Sequence, residues 1–309
     1  MNRLFVFLFL VICNSFGNRI FAQVLKIQAP DTTLQKQTTI IVMSSARNPI
    51  NVRPTFDKKG NYEFKDTFSL PDKRFFLATG RGLQRMFLKD KSKTTIKMFK
   101  ANDSTYPHYI YKGYASDAYE LADAMRDGFA YSRYFSKKGD NKETLASYDK
   151  KLAGLDSLHT SYLTRAKSLK EGELVEIFTD KAECEYLMLK GSLMKLYDKE
   201  NGIDFLGDAK LQSVIDRIDV NNPVHASYSL VPLFLKCKIS SKYTDMPLEW
   251  ATEFVKNVNK YIHNQEIRHN MEMTAIMYAT TYMNNSQLEK FWPFYKQQAS
   301  KDIVDMYSA

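Results

Sequence analysis

The sequence predicts an α+β protein: an N-terminal antiparallel β-sandwich or small barrel followed by a C-terminal all-helical array. Two observations predict it. Apolar and β-branched residues alternate with period 2 as far as Lys112, then recur with a period near 3.6 from Ser116 onward. Turn-forming clusters also punctuate the first part at short intervals and the second at long ones.

The chain opens with Asn2 and Arg3, and Leu4 to Ile12 then form an unbroken apolar run of nine residues. A bilayer span needs roughly 20 apolar residues, so this run fits a secretory leader better than an anchor. Small Ala22 in Phe21-Ala22-Gln23 offers a cleavage position. Residues 1–23 are therefore expected to be a cleaved signal peptide that delivers the chain to the periplasm or another extracytoplasmic envelope compartment. Lipid attachment at Cys13 is disfavoured, because a lipoprotein signal needs a small residue before its cysteine and Ile12 is large.

Removal of the leader leaves roughly 286 residues, room for two domains of ordinary size. The first, residues 24–113, carries strand patterns at Thr38–Met43, Asn61–Phe64, Phe75–Ala78 and Thr94–Phe99. Turns are expected at Asp57–Asn61, Thr79–Gly82 and Lys89–Lys93. The second, residues 116–309, begins with an N-cap at Ser116 or Asp117. Further helices are expected at Lys142–Leu169, Leu174–Tyr197, Lys210–Ile218, Tyr228–Ile239, Leu248–His263, Glu266–Met283 and from Ser286 to the end. Gly172, Asn201-Gly202, Asn221-Asn222-Pro223, Met246-Pro247 and Asn284-Asn285 separate them. No fixed-period repeat supports a solenoid.

The composition, 44% hydrophobic and 26% charged, suits a chain that buries a core. The net charge is +9, or +7 without Arg3 and Arg19 of the leader. Its densest basic stretch, Lys89, Lys91, Lys93, Lys97 and Lys100, reads as a turn and the solvated face of a strand. Interleaved aromatic platforms or a recognition motif are missing there, so nucleic acid is not an expected partner and the charge reads as solubility plus attraction to acidic surfaces.

No catalytic, cofactor-binding or metal-binding residues are singled out with force. His263 and His269, six apart, fall on opposite sides of a helix, unlike the i, i+4 pair of a zinc helix. His108, His159 and His225 are dispersed, with nothing to place them beside a nucleophile. Gly80-Arg81-Gly82 lacks the third glycine of a phosphate loop and reads as a hairpin turn. Glu183 with Glu185, or Asp123 with Asp127, could be imagined as acid-base pairs, although only the second pair shares a helical face. Met271, Met273, Met277 and Met283 with Tyr278 and Tyr282 read as core or interface packing, with an adaptable peptide groove as the alternative. Cys184 and Cys237 are separated by 52 intervening residues inside predicted helices, either as buried thiols or as a structural disulfide.

The order Asp57 to Phe64, Pro71 to Leu77, Met86-Phe87-Leu88, Thr94-Thr95-Ile96 and Tyr109 to Tyr119 resembles the N-terminal domain of the exported TlpA-like thiol-disulfide oxidoreductases of Bacteroidetes. Phe178 to Tyr197 and Asp219 to Leu235 are similar to the helical region of that family. The resemblance implies a sheet domain of unknown function and a helical region ahead of a thioredoxin domain. Thioredoxin chemistry needs a Cys-x-x-Cys at a helix N-terminus, and the sequence contains none. Disulfide reduction is therefore not carried over. The expected function is a noncatalytic envelope module, an accessory or binding part of a TlpA-like system whose partner is an envelope protein or polymer. The alternatives are a truncated oxidoreductase or an enzyme with a site assembled from dispersed residues.

Overall fold

The structure, a computed structural model, describes residues 23–44, 47–66, 74–79, 82–89, 92–100, 107–135, 145–201 and 208–308. Residues 1–22 with Cys13, and Gly80-Arg81 of the expected hairpin turn, lie outside the described residues. The described chain divides into two compact units, one running up to Leu121 and one from Ala122.

The first unit is built of β1 (Gln23–Gln28), α1 (Thr32–Gln37), β2 (Thr38–Ser44), β3 (Arg47–Val52), β4 (Asn61–Asp66), β5 (Arg74–Thr79), β6 (Gly82–Met86), β7 (Lys93–Phe99) and β8 (His108–Gly113). Its strands form two sheets of four, sheet A in the order β4-β1-β7-β8 and sheet B in the order β3-β2-β5-β6. Sheet A is mixed, which corrects the all-antiparallel expectation. β1 runs parallel to β7, with Leu25 beside Thr94 and Ile27 beside Ile96. Alternation sorts residues to faces but carries no information about strand direction, and these two partners are joined through all of sheet B. Among the described residues neither sheet closes into a barrel, since each ends in two edge strands.

Each sheet buries one face. Leu25, Ile27, Ile96 and Met98 of sheet A, and Ile40 and Leu77 of sheet B, are fully buried. Thr79 Oγ1 donates to Met98 Sδ at 3.6 Å, and the rings of Phe64 and Phe75 lie 6.0 Å apart. The short helix α1 was not anticipated, because β-branched Thr32 and Thr33 open it. Asp31 makes it by accepting from Thr33 N at 2.7 Å and Leu34 N at 3.1 Å.

The exit from the sheets depends on backbone that only glycine adopts easily. Gly113 has φ of +94°, and a Cβ there would stand 2.1 Å from the carbonyl oxygen of Lys93. Two residues later Ala115 also lies in the left-handed region, φ +59°, and α2 (Ser116–Gly128) begins. Tyr119 anchors the first turn of α2. Its hydroxyl donates to Phe87 O at 2.8 Å and accepts from Phe87 N at 2.6 Å, while its ring stacks on Tyr111 at 4.8 Å.

The second unit continues with α3 (Leu145–Lys167), α4 (Gly172–Asn201), α5 (Ala209–Ile215), α6 (Pro223–Ser227), α7 (Leu230–Cys237), α8 (Pro247–Tyr261), α9 (Gln265–Tyr282), α10 (Asn285–Gln298) and α11 (Lys301–Ser308). One expected helix keeps its place and another is broken in two. The predicted Tyr228–Ile239 helix is α7, set off by Ser229, at φ +59°, from the short α6 that precedes it. Ala299 and Ser300 separate α10 from α11, where Ser300 N donates to Glu272 Oε2 at 3.1 Å instead of continuing a helix.

Asn221-Asn222-Pro223 has a local structural use. Asn222 caps α6 by accepting from Val224 N, and Pro223 takes the first helical position, where no N–H is needed. Asn221 Oδ1 accepts from His263 N at 2.7 Å and Asn264 N at 3.0 Å, and its Nδ2 donates to Tyr261 O at 3.2 Å. It thereby fixes the connection between α8 and α9.

Candidate functional site

Two clusters of charged side chains stand out, one in each unit. The denser one lies on α3 and α4. Asp156 and His159 are three apart on α3, and Glu183, Tyr186 and Lys190 recur at i, i+3 and i+7 on α4, so each set shares a helical face. Arg217, beyond α5, completes the group.

His159 Nε2 donates to Glu183 Oε2 at 2.8 Å, and Arg217 Nη2 donates to Glu183 Oε1. The imidazole stacks on Tyr186, centroids 3.9 Å apart and planes inclined by 11°. On the other side of the phenol, the Tyr186 hydroxyl donates to Asp156 Oδ1 at 2.7 Å. Lys190 Nζ reaches the same Asp156 oxygen at 2.8 Å and the Tyr186 hydroxyl at 2.7 Å.

Two carboxylates thus face two permanent cations, with an imidazole and a phenol between them. Burial pushes the Glu183 carboxyl up, but the bonds from His159 and Arg217 outweigh it and hold the group below its ordinary range. Burial raises the Tyr186 phenol. It pulls Lys190 down, yet Asp156 and Tyr186 more than restore it, so the ammonium is held above its usual range. At neutral pH the group therefore offers an ionised Glu183 held by His159 and Arg217, and a neutral phenol and an ammonium held by Asp156 and by each other. Such an arrangement ties α3 to α4 and presents no free nucleophile.

Neither a protein-family model, nor a curated protein, nor a solved structure matches the chain. Its chemistry must be read from its own residues.

The residues weighed in the sequence are mostly found apart. Cys184 on α4 and Cys237 on α7 are both buried free thiols. Burial, then Asp180, Glu183 and Glu185, push the Cys184 thiol up to about 12, and burial raises Cys237 as well. A thiol so held is inert rather than redox-active. Glu185 is paired with Lys181 and not with Glu183. Asp123 and Asp127 are both bonded by Arg126, at 2.8 and 3.2 Å. His263 lies in the α8–α9 connection, and His269 on α9 stands 3.3 Å from Asp302 Oδ2. Among the described residues no three His, Cys, Asp or Glu side chains gather as a metal site. Met271 and Met283 are buried while Met277 is 64% exposed. Beside this stretch, an apolar cleft of about 220 Å³ opens between Ile276, Ala279, Phe291, Trp292 and Tyr307.

The sequence reading set Glu183 beside Glu185 only to discount the pair, and it left His159 among the dispersed histidines. The available clue was the helical spacing of Asp156 with His159 and of Glu183, Tyr186 and Lys190, polar residues at core spacing on two long helices.

The second cluster lies on the outer face of sheet A. Alternation along β7 sends Thr94, Ile96 and Met98 inward and Lys93, Thr95, Lys97 and Phe99 outward. Register brings Lys26 of β1 and Lys112 of β8 to either side of Thr95. Neighbouring strands are about 4.8 Å apart and alternate residues along a strand about 7 Å apart, so four lysine stems rise around one threonine. Glu63 on β4 answers Lys26 at 3.1 Å. Among the described residues no carboxylate is paired with Lys93, Lys97 or Lys112; Lys97 instead lies 4.8 Å from the ring of Phe99.

Proposed function

We propose that this chain is an exported, noncatalytic module of the cell envelope that works by binding, the accessory or binding part of a TlpA-like thiol-disulfide system. The observation that carries the reading is the outer face of sheet A, where Lys26, Lys93, Lys97 and Lys112 surround Thr95 and, among the described residues, Glu63 is the carboxylate paired with them. A one-signed face of this kind attracts an acidic partner. The apolar leader at Leu4 to Ile12 supports export to the periplasm. Two contacts between sheets A and B, Thr79 with Met98 and Phe64 with Phe75, support a sandwich arrangement of the first unit.

A second reading, an acid-base enzyme, is favoured by one contact, the 2.8 Å bond between His159 and Glu183. The internal engagement of that cluster weighs against it.

Sedimentation of the purified chain with a cell-envelope fraction separates the two readings. Binding is expected to fall when Lys93, Lys97 and Lys112 are changed together to Gln, and to survive His159→Ala. Undiminished binding in the lysine variant, or a turnover abolished by both His159→Ala and Glu183→Gln, would overturn the proposal.

A further inference from the structure

The lysines of sheet A do not stand alone on their face. Ile110 of β8 is paired with Lys97 and is 49% exposed, and Phe99 follows two residues after Lys97 on the same side of β7. Ile110 and Phe99 are therefore diagonal neighbours at one end of the lysine group, on adjacent strands of one sheet. A sheet face with a basic centre and an apolar margin matches a surface that is anionic outside and apolar beneath.

Resting on the binding reading above, we propose that the outer face of sheet A docks peripherally on an anionic phospholipid bilayer. Lipid phosphates would lie among Lys26, Lys93, Lys97 and Lys112, with the Thr95 hydroxyl at their centre as a further donor. Lysine stems lie along the sheet and carry their ammonium groups outward, which suits a headgroup layer. Ile110 and Phe99 enter the boundary between headgroups and acyl chains. A chain-like acidic polymer would instead be held best by a groove, whereas these lysines share one face of one sheet. The docking is peripheral, and among the described residues no helix is long and apolar enough to cross a membrane.

The test is cosedimentation of the purified chain with phosphatidylcholine vesicles, with and without phosphatidylglycerol, all variants carrying the same N terminus. Each lysine near an anionic surface is worth about fivefold in partitioning, so Lys93→Gln, Lys97→Gln and Lys112→Gln combined should weaken binding on the order of a hundredfold. Arginine at the same three positions should preserve it. A control with equal net charge, Lys150→Gln, Lys236→Gln and Lys290→Gln on the exposed surface of the helical unit, should bind like the wild type. In a separate Phe99→Trp variant, fluorescence should shift to the blue on anionic vesicles and not on phosphatidylcholine alone.

Equal loss in the control would reduce the attraction to diffuse net charge and overturn the assignment of this face. An unshifted Phe99→Trp spectrum on bound protein would also overturn it. If the chain sediments with the cell-envelope fraction through these lysines yet ignores phosphatidylglycerol vesicles, the bilayer is refuted as the occupant and the binding reading survives. Indifference to both refutes the two together.

Discussion

Glu183 on α4 receives bonds from His159 and Arg217 and keeps 27% of its side chain exposed, whereas Lys97 on sheet A lies against the ring of Phe99 and, among the described residues, pairs with no carboxylate. The same contrast recurs at larger scale. Glu272 of α9, 1% exposed, accepts from Arg268 Nε at 2.9 Å and Ser300 N at 3.1 Å, while Arg268 continues to Asn259 Oδ1 at 2.6 Å. The carboxylates Glu183 and Glu272 of the helical unit are answered from within the chain, and the charges around Thr95 are largely left for solvent or a partner. A buried charge must be paired to be tolerated, so internal pairing speaks for structure. An unpaired cluster on a solvated face adds little stability and speaks for recognition.

The largest effect expected from this contrast is at Glu272. Glu272→Ala leaves Ser300 N and part of the Arg268 guanidinium without their acceptor and should cost about 3 kcal/mol. That is the low end for a broken buried pair, because the Arg268 side chain remains 33% exposed. Urea denaturation followed by helical circular dichroism reads it. Lys93→Gln, Lys97→Gln and Lys112→Gln should each change stability by less than about 0.5 kcal/mol in the same assay. Comparable costs at the two places would erase the distinction between structural and recognition charges.

Tyr119→Phe comes next. It keeps the ring on Tyr111 but removes both bonds to Phe87, and should cost about 2 kcal/mol. The same denaturation assay would show no change if water replaced the hydroxyl without penalty.

Glu183 gives a smaller effect with a distinctive pH dependence. Its carboxyl is held below the usual 4.5, so its stabilisation is complete above that value and is lost as the pH falls through the lower folded value. Glu183→Gln should therefore cost about 1 kcal/mol at pH 7, with the difference from wild type shrinking to nothing in strong acid. A difference that grows on acidification would contradict this ordering of the pKa values.

The smallest expected effect is none at all. Cys184→Ser and Cys237→Ser should leave native-state labelling by a thiol reagent unchanged, because both thiols are buried and raised. Neither the wild type nor the variants should reduce insulin disulfides above background.

Much of this architecture was legible from residue order alone, since period, caps and breakers act within a few residues of one another. The change of period near Ser116 places the first helix of the second half, Asn264 and Asn284 open α9 and α10 by accepting from Ile267 N and Gln287 N, and Thr94 to Phe99 alternates as β7 does. Tertiary structure alone decided the parallel pairing of β1 with β7, the meeting of His159 with Glu183, and the gathering of four lysines around Thr95. Those partners are brought together by sheet register and helix packing, and no local propensity records which distant segment a strand or a helix face will meet.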